Sequence, residues 1–337
     1  MEEEDSKRIP RKHQFIITDK KIGKGGFGEV FIAIDYFSNK NYAAKEITKN
    51  EGIENEILIG TQLSNNNLVK IFEPKIHNNQ IFIISEYCNG GDLNNNFYNR
   101  IIDEEILQKI IKDILFGLSA LHRNKIIHHD LKEANILINF DNDNDLKNKN
   151  YLNATYKISD FGLSRYKEND SKEYKAGTDK YLAPEKIELI LHKKKTETKK
   201  EYFQFLDIWS IGIITYQLFF HNNPFYKKDF NYKNKKELFE HLLKNMENGK
   251  YEIDWRNNSV SYELICFLDL CLKKIPNHRK TSEELEYTRF ITRNVKKFHK
   301  IDENYFNKLP DEYKSNNKII LNIREPNFIQ DNINFKP

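Results

Sequence analysis

The hydrophobic period of the chain changes once, at Gly90-Gly91, and that change limits what it can fold into. Before it, residues 14–22, 29–36, 41–47, 69–74 and 80–86 alternate apolar and polar side chains between turn residues, as strands do. Only residues 52–63 interrupt this series with a helical pattern. After it, Ile106, Ile110, Ile111, Ile114, Leu115 and Leu118 recur at three and four residues, the spacing of one helix face. Further helices are predicted over residues 204–220, 235–245, 261–273 and 282–290. The expected fold class is α+β, with a small strand-rich lobe over residues 14–87 and a larger, mainly helical lobe over 88–291.

Three stretches depart from this order. Residues 141–153 are almost entirely Asp, Asn and Lys and are expected to form a mobile surface insertion. Residues 192–201 form a Lys-rich insertion, and 292–337 a polar C-terminal tail without a clear period. Residues 1–13 are an N-terminal tail whose acidic start, Met1-Glu2-Glu3-Glu4-Asp5, fits neither a secretory signal nor a myristoylation site. The net charge of +4, from 54 basic and 50 acidic residues, argues against nucleic-acid binding driven by bulk charge. The three cysteines, Cys88, Cys266 and Cys271, are too few for a disulfide scaffold and fit a reducing compartment, with the cytoplasm the expected location and the nucleus left open. The longest apolar stretch, 208–220, is shorter than the roughly 20 residues a membrane span needs, so no membrane anchor is expected.

Several short motifs carry chemistry. Gly23-Lys24-Gly25-Gly26-Phe27-Gly28-Glu29-Val30 lies between two predicted strands, where glycines let backbone N–H groups approach phosphate oxygens. Alone it is weak, and its strand–strand setting argues against a dinucleotide fingerprint, which needs a helix next. Downstream come Tyr42-Ala43-Ala44-Lys45, then His128-His129-Asp130-Leu131-Lys132-Glu133-Ala134-Asn135, then Asp160-Phe161-Gly162 and Ala183-Pro184-Glu185. Any one of these is compatible with an ordinary turn or cap; together, in this order, they are not.

In these motifs the chain resembles the eukaryotic protein kinase family, serine/threonine type, over residues 14–291. The resemblance implies a bilobal kinase-like fold, with an antiparallel sheet and one main helix in the small lobe. It implies ATP and Mg²⁺ as cofactors and protein substrates as partners, with no nucleic acid; oligomeric state is not implied. By resemblance, Asp130 is the catalytic base, Lys132 steadies the γ-phosphate, and Lys45 holds the α- and β-phosphates and is itself held by Glu56. Asn135 and Asp160 are the implied Mg²⁺ ligands. Ile22, Gly23, Gly25, Gly28, Val30, Ala43, Glu86 and Cys88 are the implied remaining nucleotide contacts, the last two through their backbones. Arg279 resembles the buried ion-pair partner of Glu185. Lys132 and Thr178 match serine/threonine kinases rather than tyrosine kinases.

Some positions depart from the family pattern. His129 stands where kinases switched on by loop phosphorylation carry arginine, so the loop, with candidate sites Ser164, Tyr166, Ser171 and Tyr174, is expected to need no phosphate. Ser85 and Gly60 are small where larger side chains are usual, leaving a space behind the nucleotide that either stays open or is filled by Leu58, Ile59 or Ile71. Ala134 lies where arginine-directed kinases often carry an acid. With Lys180 and the lysines of 193–200, that suggests acidic substrate surroundings. The alternative from another class is a catalytically weak interaction scaffold, against which stand Lys45, Glu56, Asp130, Asn135 and Asp160.

Overall fold

The computed structural model describes residues 14–25, 28–48, 53–167, 177–192, 203–226, 231–258, 260–316 and 318–324. The Lys-rich stretch 193–201, Ser171, Tyr174 and Gly26-Phe27 lie outside the described residues.

The small lobe is built from β1 (Phe15–Gly25), β2 (Gly28–Asp35), β3 (Asn41–Glu46), α1 (Ile53–Gln62), β4 (Ile71–His77) and β5 (Gln80–Glu86). Its strands form one antiparallel sheet in the order β1-β2-β3-β5-β4. Because side chains alternate along a strand, Phe72 and Ile71 serve opposite faces. Phe72 meets Phe15 in a tilted ring contact at 6.3 Å and Tyr42 edge-on at 5.0 Å. Ile71 packs under α1 in the cluster that continues into the large lobe.

The large lobe opens with α2 (Leu93–Phe97) and α3 (Glu104–Arg123), followed by β6 (Ile126–Ile127) and β7 (Ile136–Asn139). Of the predicted stripe on α3, Ile110, Ile111, Ile114, Leu115 and Leu118 are closed to solvent, while Ile106 is half-buried and Leu107 is buried beside it. Next come α4 (Asp143–Asn148), β8 (Thr155–Ile158), β9 (Arg165–Tyr166) and α5 (Pro184–His192). The central helix α6 (Gln204–Phe220) is apolar nearly all round and buried nearly all round, as that composition requires. Around it lie α7 (Lys235–Glu247), β10 (Lys250–Ile253), α8 (Trp255–Asn258) and α9 (Tyr262–Cys271). The lobe ends in α10 (Ser282–Glu286), α11 (Arg289–Thr292), α12 (Glu303–Lys308), β11 (Lys314–Ser315) and β12 (Lys318–Asn322). Arg279 donates to both carboxylate oxygens of Glu185 at 2.7 and 2.8 Å, and its guanidinium lies 5.0 Å from the Trp209 ring centroid.

Three differences from the sequence reading have physical causes. Residues 141–153 are ordered: the Asp145 carboxylate accepts from the side-chain amides of Asn142, Asn150 and Asn153 at 2.7, 2.9 and 3.1 Å, which hold its pKa below the usual value. Residues 282–290 are not one helix, because Thr288 adopts an extended backbone and its hydroxyl bonds back to Leu285 O. Of the tail, residues 292–324 pack into the large lobe where described: β12 pairs with β10, burying Ile319 and Leu321. The buried Lys273, paired with Asp269 at 2.6 Å, also reaches Asn322 O. Of the two outcomes expected at Gly60, the space is filled: Ile71 occupies it, and Leu58 stays exposed.

Candidate active site

The predicted chemistry converges where the lobes meet. Residues 67–70 run alongside β8, with Val69 N–H donating to Ile158 O and Ile158 N–H to Asn67 O, both at 2.8 Å. That stitching brings the end of β8, and hence Asp160, beneath β3 and α1. Lys45 Nζ lies 2.8 Å from Glu56 Oε1, 3.0 Å from Oε2 and 2.8 Å from Asp160 Oδ1. Burial works against the lysine's charge, but the two carboxylates outweigh it and hold its pKa above the ordinary value. Burial likewise works against Asp160, and Lys45 more than compensates, keeping that carboxyl below its usual range.

The loop carrying Asp130 follows β6. Lys132 Nζ donates to Asp130 Oδ2 at 2.6 Å and to Thr178 Oγ1 at 3.0 Å, while the Thr178 hydroxyl donates to Asp130 Oδ1 at 2.6 Å. The Asn135 amide donates to Asp130 O and Oδ2 at 2.8 and 3.2 Å. His128 Nδ1 accepts from Asp130 N–H at 3.2 Å and its Nε2 faces Ser159 O at 3.1 Å, so the proton sits on Nε2. Asp160 (φ 63°) and His129 (φ 67°) hold left-handed backbone, a strain that concentrates at functional sites.

The remaining residues expected at the nucleotide lie on β1, β2, β3 and β5, with Cys88 just past β5. Gly23 pairs with Val30, Val30 with Lys45, and Ala43 with Ser85. Gly25 pairs with Gly28, where a β-carbon would lie 1.8 Å from Glu46 O, so no other residue fits. Ile22 is exposed at the rim. Cys88 is buried, which pushes its thiol up to about 12.

A model of the protein kinase domain matches residues 16–291. The chain belongs to the protein kinase family. It is 34% identical over 245 residues to calcium-dependent protein kinase 4 of Plasmodium falciparum and 33% identical over 245 residues to that of Plasmodium berghei. Each alignment covers 70% of this chain but 41% of the relative, so this kinase chain spans less than half the length of the curated relatives it matches. The crystal structure of the Rad53 kinase domain and SCD2 has the same fold, with a TM-score of 0.64 and 23% identity over 91% of this chain and 93% of that one.

Some side-chain roles in this kinase chain are not legible in its sequence. Glu86, expected as a backbone contact, also uses its carboxylate, which accepts Lys70 N–H at 2.8 Å and pairs with Lys157 at 3.1 Å. Asp207 was read only as part of α6. Its buried carboxylate accepts His128 N–H, His129 N–H and His122 Nε2 at 2.8, 2.9 and 3.1 Å. An acid opening an otherwise apolar helix was the available signal. Conversely, Ser164 is fully buried, with its hydroxyl on His128 O, so it is no exposed phosphorylation site.

Proposed function

We propose that this chain is an ATP-dependent protein serine/threonine kinase that transfers the γ-phosphoryl group of Mg-ATP to hydroxyls of polypeptide substrates. What carries the reading is Lys45 bridging Glu56 and Asp160, across from an Asp130 carboxylate held by Lys132, Thr178 and Asn135. Phosphoryl transfer asks a protein mainly for positioning and charge neutralisation. Lys45 would bind the α- and β-phosphates, and the glycine strand pair β1–β2 would cover them.

The donor set at Asp160 and Asn135 fits Mg²⁺, a hard cation that takes one or two protein oxygens and completes its shell with phosphates and water. Bound there, the ion would neutralise phosphate charge. Asp130 would orient the acceptor hydroxyl and take its proton, and Lys132 would steady the γ-phosphate. Thr178 fixes both of those side chains, which favours a serine or threonine acceptor.

The test is transfer of radiolabelled phosphate to generic polypeptides, followed by phosphoamino-acid analysis, with Asp130→Asn as control. Label on serine and threonine that falls by about 10²-fold or more in the control is expected, the size of a general-base contribution. A folded wild type that labels no polypeptide would overturn the proposal.

A further inference from the structure

Residues 141–153 do more than fill a turn between β7 and β8. A groove of ≈ 1460 Å³ opens beside the catalytic loop, lined among others by Leu93, Phe97, Glu133, Lys180, Gln217 and Tyr251. It exceeds the roughly 300–1,000 Å³ of small-molecule pockets and is open enough for an extended chain. Glu133 lies three residues past Asp130 and Lys180 two past Thr178, so the groove leads from the reacting centre. One wall is α2, whose five residues are far too few to hold a helix alone. Its placement has to come from contacts.

Residues 133–135 and β7 supply part of that hold, and the insertion supplies another part. The Tyr151 hydroxyl donates to Asn96 Oδ1 at 2.9 Å, and its ring lies 4.7 Å from that of Phe97. Asn96 in turn donates to Gly90 O and Asp92 O at 2.8 and 2.9 Å, fixing the start of the helix. Tyr151 is held from behind: its carbonyl accepts the Tyr156 hydroxyl at 2.9 Å, and the Phe140 ring lies 5.9 Å away. Asp145, gripping Asn142, Asn150 and Asn153, closes the loop around it. Phe97 meets Tyr151 and also lines the groove; Asn96 does not line it.

We propose that Tyr151 is a positioning residue for the polypeptide substrate, holding α2 where that helix walls the groove. The proposal rests on the reading of this chain as a protein kinase and adds the insertion to its substrate machinery. Its effect is confined to one substrate, because the Lys45–Glu56–Asp160 cluster shares no contact with Tyr151.

The experiment is steady-state kinetics on the full chain and its Tyr151→Ala and Tyr151→Phe variants, varying polypeptide and ATP separately. In Tyr151→Ala, KM for the polypeptide should rise about tenfold, the loss of one ring contact and one hydrogen bond. KM for ATP and kcat should hold. Tyr151→Phe, which keeps the ring, should recover most of the loss. An unchanged polypeptide KM in a folded Tyr151→Ala overturns the proposal, as does an equal rise in both KM values. If Tyr151→Ala does not fold, Asn96→Ala removes the Tyr151 hydrogen bond and the bonds to Gly90 O and Asp92 O from the other side, and a polypeptide KM that does not rise selectively there overturns it. A wild type inactive on every polypeptide overturns the kinase reading itself and this one with it.

Discussion

Ile71 occupies the space that a side chain on Gly60 would need. A β-carbon built on Gly60 would stand 2.4 Å from Ile71 Cδ1 and 2.8 Å from its Cβ. The small residue in α1 is therefore a fitted contact between helix and sheet, one turn beyond Glu56. Two effects oppose each other in Gly60→Ala. Helix propensity favours alanine by about 1 kcal/mol, while overpacking typically costs about 1–3 kcal/mol. The clash reaches the Cβ of a β-branched side chain with little rotamer freedom, so overpacking wins. The denaturation midpoint of Gly60→Ala should fall, and fall further in Gly60→Leu. A midpoint at or above wild type would contradict this packing.

Lys45→Met should reduce turnover by about 10²-fold or more, through lost charge stabilisation at the phosphates. It should also lower stability, because Glu56, 5% exposed and with its pKa already raised by burial, and Asp160 would lose the ammonium that pairs them. Breaking a buried pair from one side costs about 3–5 kcal/mol. Activity per folded molecule, with folding followed by near-UV circular dichroism, separates the two effects. Wild-type turnover in the folded fraction would remove Lys45 from the phosphate site.

Phosphatase treatment should leave most of the activity. His129 is 7% exposed, turned inward rather than to a docking surface. Arg165 is engaged by its own segment, its guanidinium donating to Ser164 O at 2.8 Å and Gly162 O at 3.3 Å. His129 has no planar fork to grip a phosphate, and Arg165 has one arm of its own fork, Nη1, bound to the backbone. A drop beyond about tenfold, equal to 1.4 kcal/mol of barrier, would show that a loop phosphate is needed.

The parts of this molecule legible in its sequence are those set by local period or fixed spacing. The strand 80–86 and the helix 204–220 coincide with β5 and α6, because alternation and an unbroken apolar run state those elements directly. Lys45, Glu56, Asp130, Asn135 and Asp160 could be named because their motifs travel with the chemistry. What escaped were partnerships between distant residues: Glu86 with Lys157, Asp207 with the catalytic loop, β10 with β12. The Asp- and Asn-rich stretch misled because polar composition signals disorder only when side chains solvate themselves in water. Here Asn142, Asn150 and Asn153 solvate Asp145 instead.

Asp207 should set part of the acid limit of stability. It is 1% exposed, and burial alone would raise its pKa; the hydrogen bond from His122 and the nearby His128 and His129 outweigh that and lower it. A carboxyl with a lowered folded pKa stabilises fully above its unfolded value, near 3.8. That contribution disappears as pH falls through the still lower folded value. Asp207→Asn keeps the shape but sets an amide N–H₂ against a backbone N–H of His128 or His129. At neutral pH the variant should lose about 3 kcal/mol, the cost of charged hydrogen bonds exchanged for an unsatisfied donor. Urea midpoints from pH 7 downward should show a constant gap between wild type and variant until pH approaches 4, and a narrowing gap below it. Activity should fall with the same substitution, because the loop carrying Asp130 hangs from those two N–H groups. A gap that stays constant to pH 3 would mean that the Asp207 charge does not hold the catalytic loop.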